Sequence, residues 1–349
     1  MPDLEPTFSR PAVVVRAWPL LLAGICGGFL TACAETPAAI GTKHPALQAA
    51  DAHPDGSLGD AGTAAATDAT IATAEVFVHE PDTAAATAAL IAARPYTVQV
   101  PKQYDPKQAW PLLVGLHGYG ESGAFLDGWL AFSKIVDKRG FLYATPDGLV
   151  DNLGLRYWNA TDACCDVFKK GGDDVAYLRA LLDDMAAKFN VDPKRVYLVG
   201  HSNGGFFAHR LACDLADRVA GVISIAGTGW SDTAKCKAAA PVAVLQVHGT
   251  LDAVIQYGGG TTLGVPYPGA QVTVADWAKR NGCGATPTSD AKADLDVLVP
   301  GTETDVRRWT GCKGGAAELW QVHGASHFPK FPTSFADTAW TWLEAHARP

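Results

Sequence analysis

The pentapeptide Gly200-His201-Ser202-Asn203-Gly204 has the residue types and spacing of a nucleophilic serine on a tight turn. It follows the apolar run 195–199 and precedes a helix-like stretch that begins at Gly205. Such a turn lifts the serine hydroxyl clear of the backbone, and the flanking glycines remove Cβ atoms that would clash. Ser202 is therefore the candidate nucleophile, and the chemistry it predicts is acyl transfer.

A nucleophilic serine needs a base, and the base needs an acid to orient it. Asp252 lies just after a strand pattern, in His248-Gly249-Thr250-Leu251-Asp252, and is the predicted acid. Asp232, which follows the preceding strand, is the alternative. His327 lies on the loop after the last strand and is the predicted base, with His323 as the alternative.

The intermediate of acyl transfer needs hydrogen-bond donors for its oxyanion, each worth about 3 kcal/mol. The predicted donors are the backbone N–H groups of Asn203, which follows the nucleophile, and Tyr119, in His117-Gly118-Tyr119-Gly120. His117, His201 and His248 each precede a glycine or the serine turn. We expect them to make turn or core hydrogen bonds, with His201 directed away from the substrate.

The elements that position these residues alternate between strand and helix patterns. Strands are predicted at 96–100, 112–116, 141–144, 196–199, 222–226, 242–247 and 318–322. Helices are predicted at 125–137, 173–189, 206–213, 271–279 and 334–346. This alternation implies an α/β fold, with a mostly parallel sheet and helices on both faces. Ligands then bind at the carboxyl ends of the strands.

The N-terminal 93 residues have a different composition. Residues 1–33 resemble a lipoprotein-type signal peptide, because an apolar segment ends in Leu30-Thr31-Ala32-Cys33, which is similar to the lipobox whose cysteine is acylated. An ordinary cleaved signal is the alternative. Residues 34–93 are rich in Ala and Thr and are predicted to be a disordered low-complexity tether, with a short helix at 83–93 and a marginal strand at 76–78. Residues 94–349 form the predicted catalytic domain.

Charge and cysteine content restrict the partners and the compartment. The net charge of −8, without a basic run, predicts no nucleic-acid binding, and a lipid anchor is the predicted membrane contact. Six cysteines remain after the signal: Cys164, Cys165, Cys213, Cys236, Cys283 and Cys312. We expect disulfides in an oxidising compartment, with pairings left open, since no cysteine or histidine spacing is typical of a metal site. No metal or other cofactor is expected.

Several segments together resemble the α/β-hydrolase esterase family that includes bacterial polyhydroxybutyrate depolymerases and feruloyl or acetylxylan esterases. The matching segments are Pro111-Leu112-Leu113-Val114-Gly115-Leu116-His117-Gly118, Pro146-Asp147-Gly148, Trp158-Asn159-Ala160 with Cys164-Cys165, Asp173-Asp174-Val175, 191–197, the serine turn, 248–252 and 324–329. The resemblance implies an α/β-hydrolase fold and ester hydrolysis through an acyl-Ser202 intermediate. It also implies a disulfide between Cys283 and Cys312, and pairing of Cys164 and Cys165 with Cys213 and Cys236. The sequence contains no long apolar insertion of the kind that forms a lid, so we expect no large lid over the site.

Trp158 and Trp230 are candidate substrate walls, with a core role as the alternative for each. The leading hypothesis is an exported serine esterase, either a surface lipoprotein or secreted, that acts on polymeric or aryl esters. The candidate substrates are polyhydroxyalkanoate, feruloylated or acetylated polysaccharide, and aromatic polyesters. A serine peptidase of the same fold and a noncatalytic surface binding protein are the alternatives.

Overall fold

A computed structural model describes residues 83–349 of the chain. The predicted signal peptide, Cys33, the strand at 76–78 and most of the tether lie outside the described residues. The strands, in chain order, are β1 (Tyr96–Gln99), β2 (Trp110–Leu116), β3 (Leu142–Pro146), β4 (Leu149–Val150), β5 (Arg156–Tyr157), β6 (Val191–His201), β7 (Gly221–Ile225), β8 (Ala243–Gly249), β9 (Gly259–Thr262), β10 (Val265–Pro268), β11 (Thr288–Ala293), β12 (Thr304–Trp309) and β13 (Ala316–Val322). The helices are α1 (Thr83–Ala93), α2 (Gly123–Leu130), α3 (Val136–Arg139), α4 (Asp174–Lys188), α5 (Asn203–Asp214), α6 (Ala270–Arg280) and α7 (Phe335–Glu344).

Nine of these strands form one sheet in the order β1-β3-β2-β6-β7-β8-β13-β12-β11. The six strands from β3 to β13 in this order pair in parallel, whereas β1, β12 and β11 pair antiparallel at the edges. The mostly parallel sheet predicted from the sequence is therefore present. Its parallel strands all end at one edge, where the loops after β2, β6, β8 and β13 lie.

Helices cover both faces of the sheet. Successive residues of the central strands alternate between two core layers, so that Leu112 and Val114 face one layer and Leu113 faces the other. Residues of α4 and α5 fill the first layer, and residues of α2 and α7 fill the second. Burial on both faces explains why these strands read as continuous apolar runs.

The helix predicted at 83–93 is present as α1, and it lies in the segment that was predicted to be a disordered tether. Helix α1 packs on α4, and Ile91 contacts the first core layer. Arg94, which follows the helix, donates from Nη1 to Asp174 Oδ1 at 2.5 Å, and the Asp174 side chain is fully buried. Residues 83–93 therefore belong with the sheet, because an otherwise weak Ala-rich helix gains stability by packing against α4.

Two further sequence predictions differ from the structure. The helix predicted at 125–137 is broken at Ala131, which has φ 60°, and Asp127 Oδ1 accepts from Ser133 N at 2.9 Å to start the next turn. The edge strands β11 and β12 were not predicted, because Thr288–Ala293 has no apolar alternation and draws its order from pairing with β12. None of the helices in residues 83–349 is both long enough and apolar enough to span a membrane.

Candidate active site

The serine turn between β6 and α5 has a strained backbone. Ser202 has φ 51° and ψ −116°, a conformation that costs an L-residue on the order of 1–3 kcal/mol and that clusters at functional sites. Its N–H donates to Ile225 O of β7 at 2.8 Å. The turn is thereby fixed to the neighbouring strand, and Ser202 is 9% exposed at the carboxyl edge of the sheet.

The glycines of the turn are required by close backbone contacts. A Cβ on Gly200 would lie 2.1 Å from Gly204 O, and a Cβ on Gly204 would lie 2.0 Å from Leu116 O and 2.6 Å from His117 O. Leu116 ends β2, so the absence of a side chain at Gly204 lets the serine turn approach the loop that contains Tyr119. The spacing that indicated a nucleophile thus also brings the two predicted sources of oxyanion donors together.

Asp252 and His327 are in direct contact. Asp252 Oδ2 accepts from His327 Nδ1 at 2.7 Å, and the Asp252 side chain is fully buried. Asp252 Oδ1 accepts from the backbone N–H groups of Val254 at 2.8 Å and Ile255 at 2.9 Å. These bonds hold the carboxylate in one orientation, so the bond to His327 fixes the imidazole with its proton on Nδ1 and leaves Nε2 free to accept a proton.

Burial and neighbouring groups set the charge of this pair. Burial by itself raises the pKa of Asp252, but hydrogen bonds from His248 and His327 outweigh it and hold that pKa far below its usual range. Burial lowers the pKa of His327, the hydrogen bond to Asp252 opposes this, and the charge of His201 adds to the lowering. The pair is therefore a carboxylate and a neutral imidazole at neutral pH, the state that a general base requires.

No hydrogen bond joins Ser202 Oγ to His327 within residues 83–349. His327 lies beside the serine turn, because His201 Nε2 lies 3.1 Å from His327 O and the centroids of the His201 and His327 rings are 4.8 Å apart. Catalytic hydrogen bonds of this kind are often long without substrate and shorten when it binds.

The predicted oxyanion donors lie on either side of the serine turn. Asn203 is the first residue of α5, where helix geometry provides no acceptor for the backbone N–H. The amides flanking Tyr119 are already used, since Gly118 N donates to Glu121 Oε2 at 2.8 Å and Gly120 N donates to Arg156 O at 2.8 Å. The Tyr119 hydroxyl donates to Asp151 Oδ2, which holds the side chain and so the loop in place.

The two alternatives from the sequence have other partners. Asp232 is exposed and caps the 3-10 helix Thr233–Lys235 through Ala234 N at 3.1 Å. His323 contacts Asp305 Oδ2 of β12 at 2.8 Å. Asp252 and His327 contact each other, so neither alternative is needed.

The two predicted substrate tryptophans have different surroundings. Trp158 is 0% exposed, stacks on Phe207 at 5.2 Å and donates from Nε1 to His117 O, so its prediction as a substrate wall is wrong. Its backbone N–H and C=O bond to the side chain of Asn203 at 2.7 and 2.9 Å, so it buttresses the serine turn from inside. Trp230 is half-buried beside Trp277, and its contact with substrate stays a prediction.

Of the two disulfide pairings that the resemblance implied, one is present and the other is not. Cys283 pairs with Cys312, as the resemblance implied. Cys213 pairs with Cys236, and Cys164 pairs with its neighbour Cys165, so the expected cross-pairing of these four is wrong. The reason is that Cys213, near the end of α5, lies 5.2 Å from Cys236 between their Cα atoms, a normal disulfide spacing. Residues 83–349 contain no group of three or more histidine, cysteine or acidic side chains that could hold a metal ion.

Sequence reasoning missed the roles of His201 and Glu121. His201 Nδ1 lies 3.0 Å from Glu121 Oε1, and its Nε2 contacts the backbone of His327. His248 makes the core hydrogen bond that was expected, with Nε2 2.8 Å from Ile255 O, and the same nitrogen lies 3.3 Å from Asp252 Oδ2. The sequence shows that Glu121 lies three residues after Gly118, in the predicted oxyanion loop. Only the fold shows that its carboxylate faces His201.

Comparisons with known proteins agree with this architecture. Residues 173–267 match the family described as alpha/beta hydrolase fold. Feruloyl esterase B of Piromyces equi is 30% identical over 243 residues, which cover 67% of this chain and 42% of that protein, so the chain spans less than half the length of this relative. Feruloyl esterase D of Neurospora crassa is 27% identical over 248 residues, or 68% of this chain and 74% of that protein.

Among solved structures, an acetyl xylan esterase from Aspergillus awamori matches with a TM-score of 0.50 at 14% identity, over 71% of this chain and 93% of that chain. That likeness concerns the fold. Together with the sheet order and the strained serine turn, these matches show that the chain has the alpha/beta hydrolase fold, and the relatives it matches are named esterases.

Proposed function

We propose that this protein is an exported serine esterase that hydrolyses carboxylic esters through an acyl-Ser202 intermediate. The observation that carries the proposal is the 2.7 Å bond between Asp252 and His327, at the same sheet edge as the strained turn of Ser202. The three residues follow β6, β8 and β13, which lie side by side with β7 in the parallel part of the sheet. The esterase names of the relatives support the same reaction class.

In the first half of the reaction, His327 Nε2 takes the proton from Ser202 Oγ as Oγ attacks the ester carbonyl carbon. Asp252 stabilises the imidazolium that forms, and the N–H groups of Tyr119 and Asn203 bind the oxyanion. Collapse of the intermediate breaks the bond to the alcohol oxygen, which leaves with the proton from His327. Water then attacks the acyl-serine by the same route and releases the acid.

The substrates we propose are aryl esters or polymer-bound esters. Phe328 directly follows His327 in the sequence and is 45% exposed. Phe125 is 50% exposed, and its ring lies nearly perpendicular to that of Phe328, with 6.4 Å between the ring centroids. The ring centroid of Phe328 lies 5.3 Å from that of His327, so Phe328 and the neighbouring Phe125 provide a surface for the flat or apolar part of an ester. The feruloyl and acetylxylan esters named for the relatives are the first substrates to test, followed by polyhydroxybutyrate and aromatic polyesters.

Export is proposed from the N-terminal sequence and the cysteines. The segment ending at Cys33 is similar to a lipobox, and the three disulfides favour an oxidising compartment. If Cys33 is lipidated, the wild type fractionates with membranes and Cys33→Ala does not. Recovery of both proteins in the soluble fraction would favour a secreted enzyme.

The reaction is tested with p-nitrophenyl butyrate. The wild type should release p-nitrophenol, and Ser202→Ala should lose activity while keeping its circular dichroism spectrum and melting temperature. Equal turnover by both proteins would refute the assignment of Ser202. Activity on peptides but not on esters would favour the peptidase, and binding without turnover would favour the surface binding protein.

The substrate class is tested with methyl ferulate against p-nitrophenyl acetate. Phe125→Ala should lower kcat/KM for methyl ferulate roughly tenfold, equivalent to about 1.4 kcal/mol of aromatic contact, and change the acetate reaction little. Leu263→Ala is the matched control, since Leu263 is 75% exposed between β9 and β10. Equal losses on both esters would contradict an aromatic subsite.

A further inference from the structure

His201, the residue before the nucleophile, is fully buried with both ring nitrogens facing acceptors. Nδ1 lies 3.0 Å from Glu121 Oε1, and Nε2 lies 3.1 Å from the backbone carbonyl oxygen of His327. A carbonyl oxygen can only accept, so Nε2 must carry a proton. Nδ1 must carry one as well if Glu121 is a carboxylate, which makes His201 an imidazolium in an ion pair.

The Glu121 carboxylate extends this pair to the oxyanion loop. Its Oε2 accepts from Gly118 N at 2.8 Å, and its side chain is 10% exposed. The approach is close, because a Cβ on Gly118 would lie 2.7 Å from Glu121 Oε1. Burial raises the pKa of Glu121, but the hydrogen bond and charge of His201 outweigh this and lower it, which is consistent with a carboxylate.

Aromatic rings close the surroundings of His201. Trp129 of α2 lies edge-on at 4.8 Å between ring centroids, and Phe328 lies at 4.4 Å. With His201 fully buried among these rings, Glu121 Oε1 and His327 O are the polar partners recorded for its two ring nitrogens in residues 83–349. The titratable groups that face His201 are Glu121 and the ring of His327, 4.8 Å away.

We propose that Glu121 and His201 are positioning residues, forming a buried ion pair that holds the base loop of His327 and the oxyanion loop of Tyr119 at fixed places around Ser202. This inference rests on the proposed esterase function. Through one carboxylate and one imidazole, three separate loops are joined: 117–121, the serine turn, and the loop after β13. The positive charge has a second effect, because it lowers the pKa of His327 and so keeps the base unprotonated at lower pH.

Two variants at Glu121 separate position from charge. Glu121→Gln can keep the geometry, since its amide oxygen accepts from Gly118 N while its NH2 donates to His201 Nδ1, leaving the proton on Nε2 for the His327 carbonyl. Its kcat/KM plateau should stay within about threefold of the wild type, and the acid limb should move up by roughly one pH unit. Glu121→Ala loses both bonds, and kcat should fall by roughly 100-fold with little change in KM.

Asp147→Asn is the matched control. Asp147 accepts from Gly123 N at 2.8 Å and pairs with Arg156, close to the same loop, but it does not contact His201. Its acid limb should stay at the wild-type pH. Circular dichroism and melting temperature establish that each variant is folded, and if Glu121→Ala does not fold, the Glu121→Gln profile decides.

Nitrogen-15 NMR of the histidine-labelled wild type provides a readout that does not depend on turnover. His201 should show two protonated nitrogens in the wild type, and Glu121→Gln should show one. A single protonated nitrogen in the wild type would overturn the ion pair. Wild-type kcat and acid limb in folded Glu121→Ala would overturn the positioning role, whereas failure of the wild type on every ester would refute the proposed function alone.

Discussion

Asp252→Asn should remove most of the activity, because the structure determines which way the new amide must point. Asp252 Oδ1 accepts from two backbone N–H groups, those of Val254 and Ile255. An amide NH2 cannot accept these bonds, so the asparagine oxygen must take the Oδ1 place and the NH2 must face His327 Nδ1. That donor forces the His327 proton onto Nε2, the atom that must accept the proton of Ser202.

The expected size of the effect follows from the loss of the reactive tautomer. An Asp-to-Asn change of this type leaves the geometry intact and lowers kcat by about 10⁴-fold. This corresponds to about 5 kcal/mol of transition-state stabilisation, at 1.36 kcal/mol for each tenfold change. KM should change little, since Asp252 is fully buried and acts on His327 and not on the bound ester.

The assay is the steady-state hydrolysis of p-nitrophenyl butyrate by the wild type, Asp252→Asn and a control. Asp232→Asn is the control, because Asp232 is the exposed acidic residue that the sequence offered as the alternative. It should keep the wild-type kcat. A folded Asp252→Asn protein that keeps more than about a tenth of kcat, or an equal loss in Asp232→Asn, would refute the reasoning.

Three other predictions test the fold and the base. Gly204→Ala should destabilise the protein by about 3 kcal/mol or more, because the new Cβ meets only backbone atoms, whereas Gly128→Ala, with no atom within 4 Å, should raise the melting temperature slightly. Burial lowers the pKa of His327 below its ordinary 6.5, and only the neutral imidazole can act as a base. The acid limb of the kcat/KM profile should therefore lie below pH 6.5. An acid limb above pH 6.5 would contradict the assignment of His327 as the base. The double replacement Cys283→Ser with Cys312→Ser removes a disulfide between residues 29 apart in sequence and should lower the free energy of unfolding by about 3 kcal/mol. The melting temperature should then fall by on the order of 10 °C. An unchanged melting temperature would show that the bridge adds no stability.

The predictions that succeeded depended on local patterns. The central strands could be located because both faces are buried and each reads as an apolar run, and α4 because its apolar residues recur on one face. Ser202, Asp252 and His327 each follow such a strand within a short loop. Since parallel strands end at one edge, strand position alone indicated that these residues lie at the same edge of the sheet, where Asp252 and His327 are in contact.

The predictions that failed depended on partners far apart in the chain. Pairing with β12 orders the polar β11, and the end of α5 selects Cys236 as the partner of Cys213. The helix at 83–93 was predicted, but its packing on α4 was not. None of these partners is visible in local composition.

Tertiary structure also decided the roles of Trp158, His201 and Glu121. A buried tryptophan and an exposed one have the same sequence signature, so only packing showed that Trp158 supports the serine turn from inside. Glu121 meets His201 across 80 residues. The sequence by itself therefore determined which groups could react and on which edge of the sheet they lie. Only the folded chain decided which groups hold them there, because hydrogen bonds and close packing depend on distances that sequence spacing does not specify.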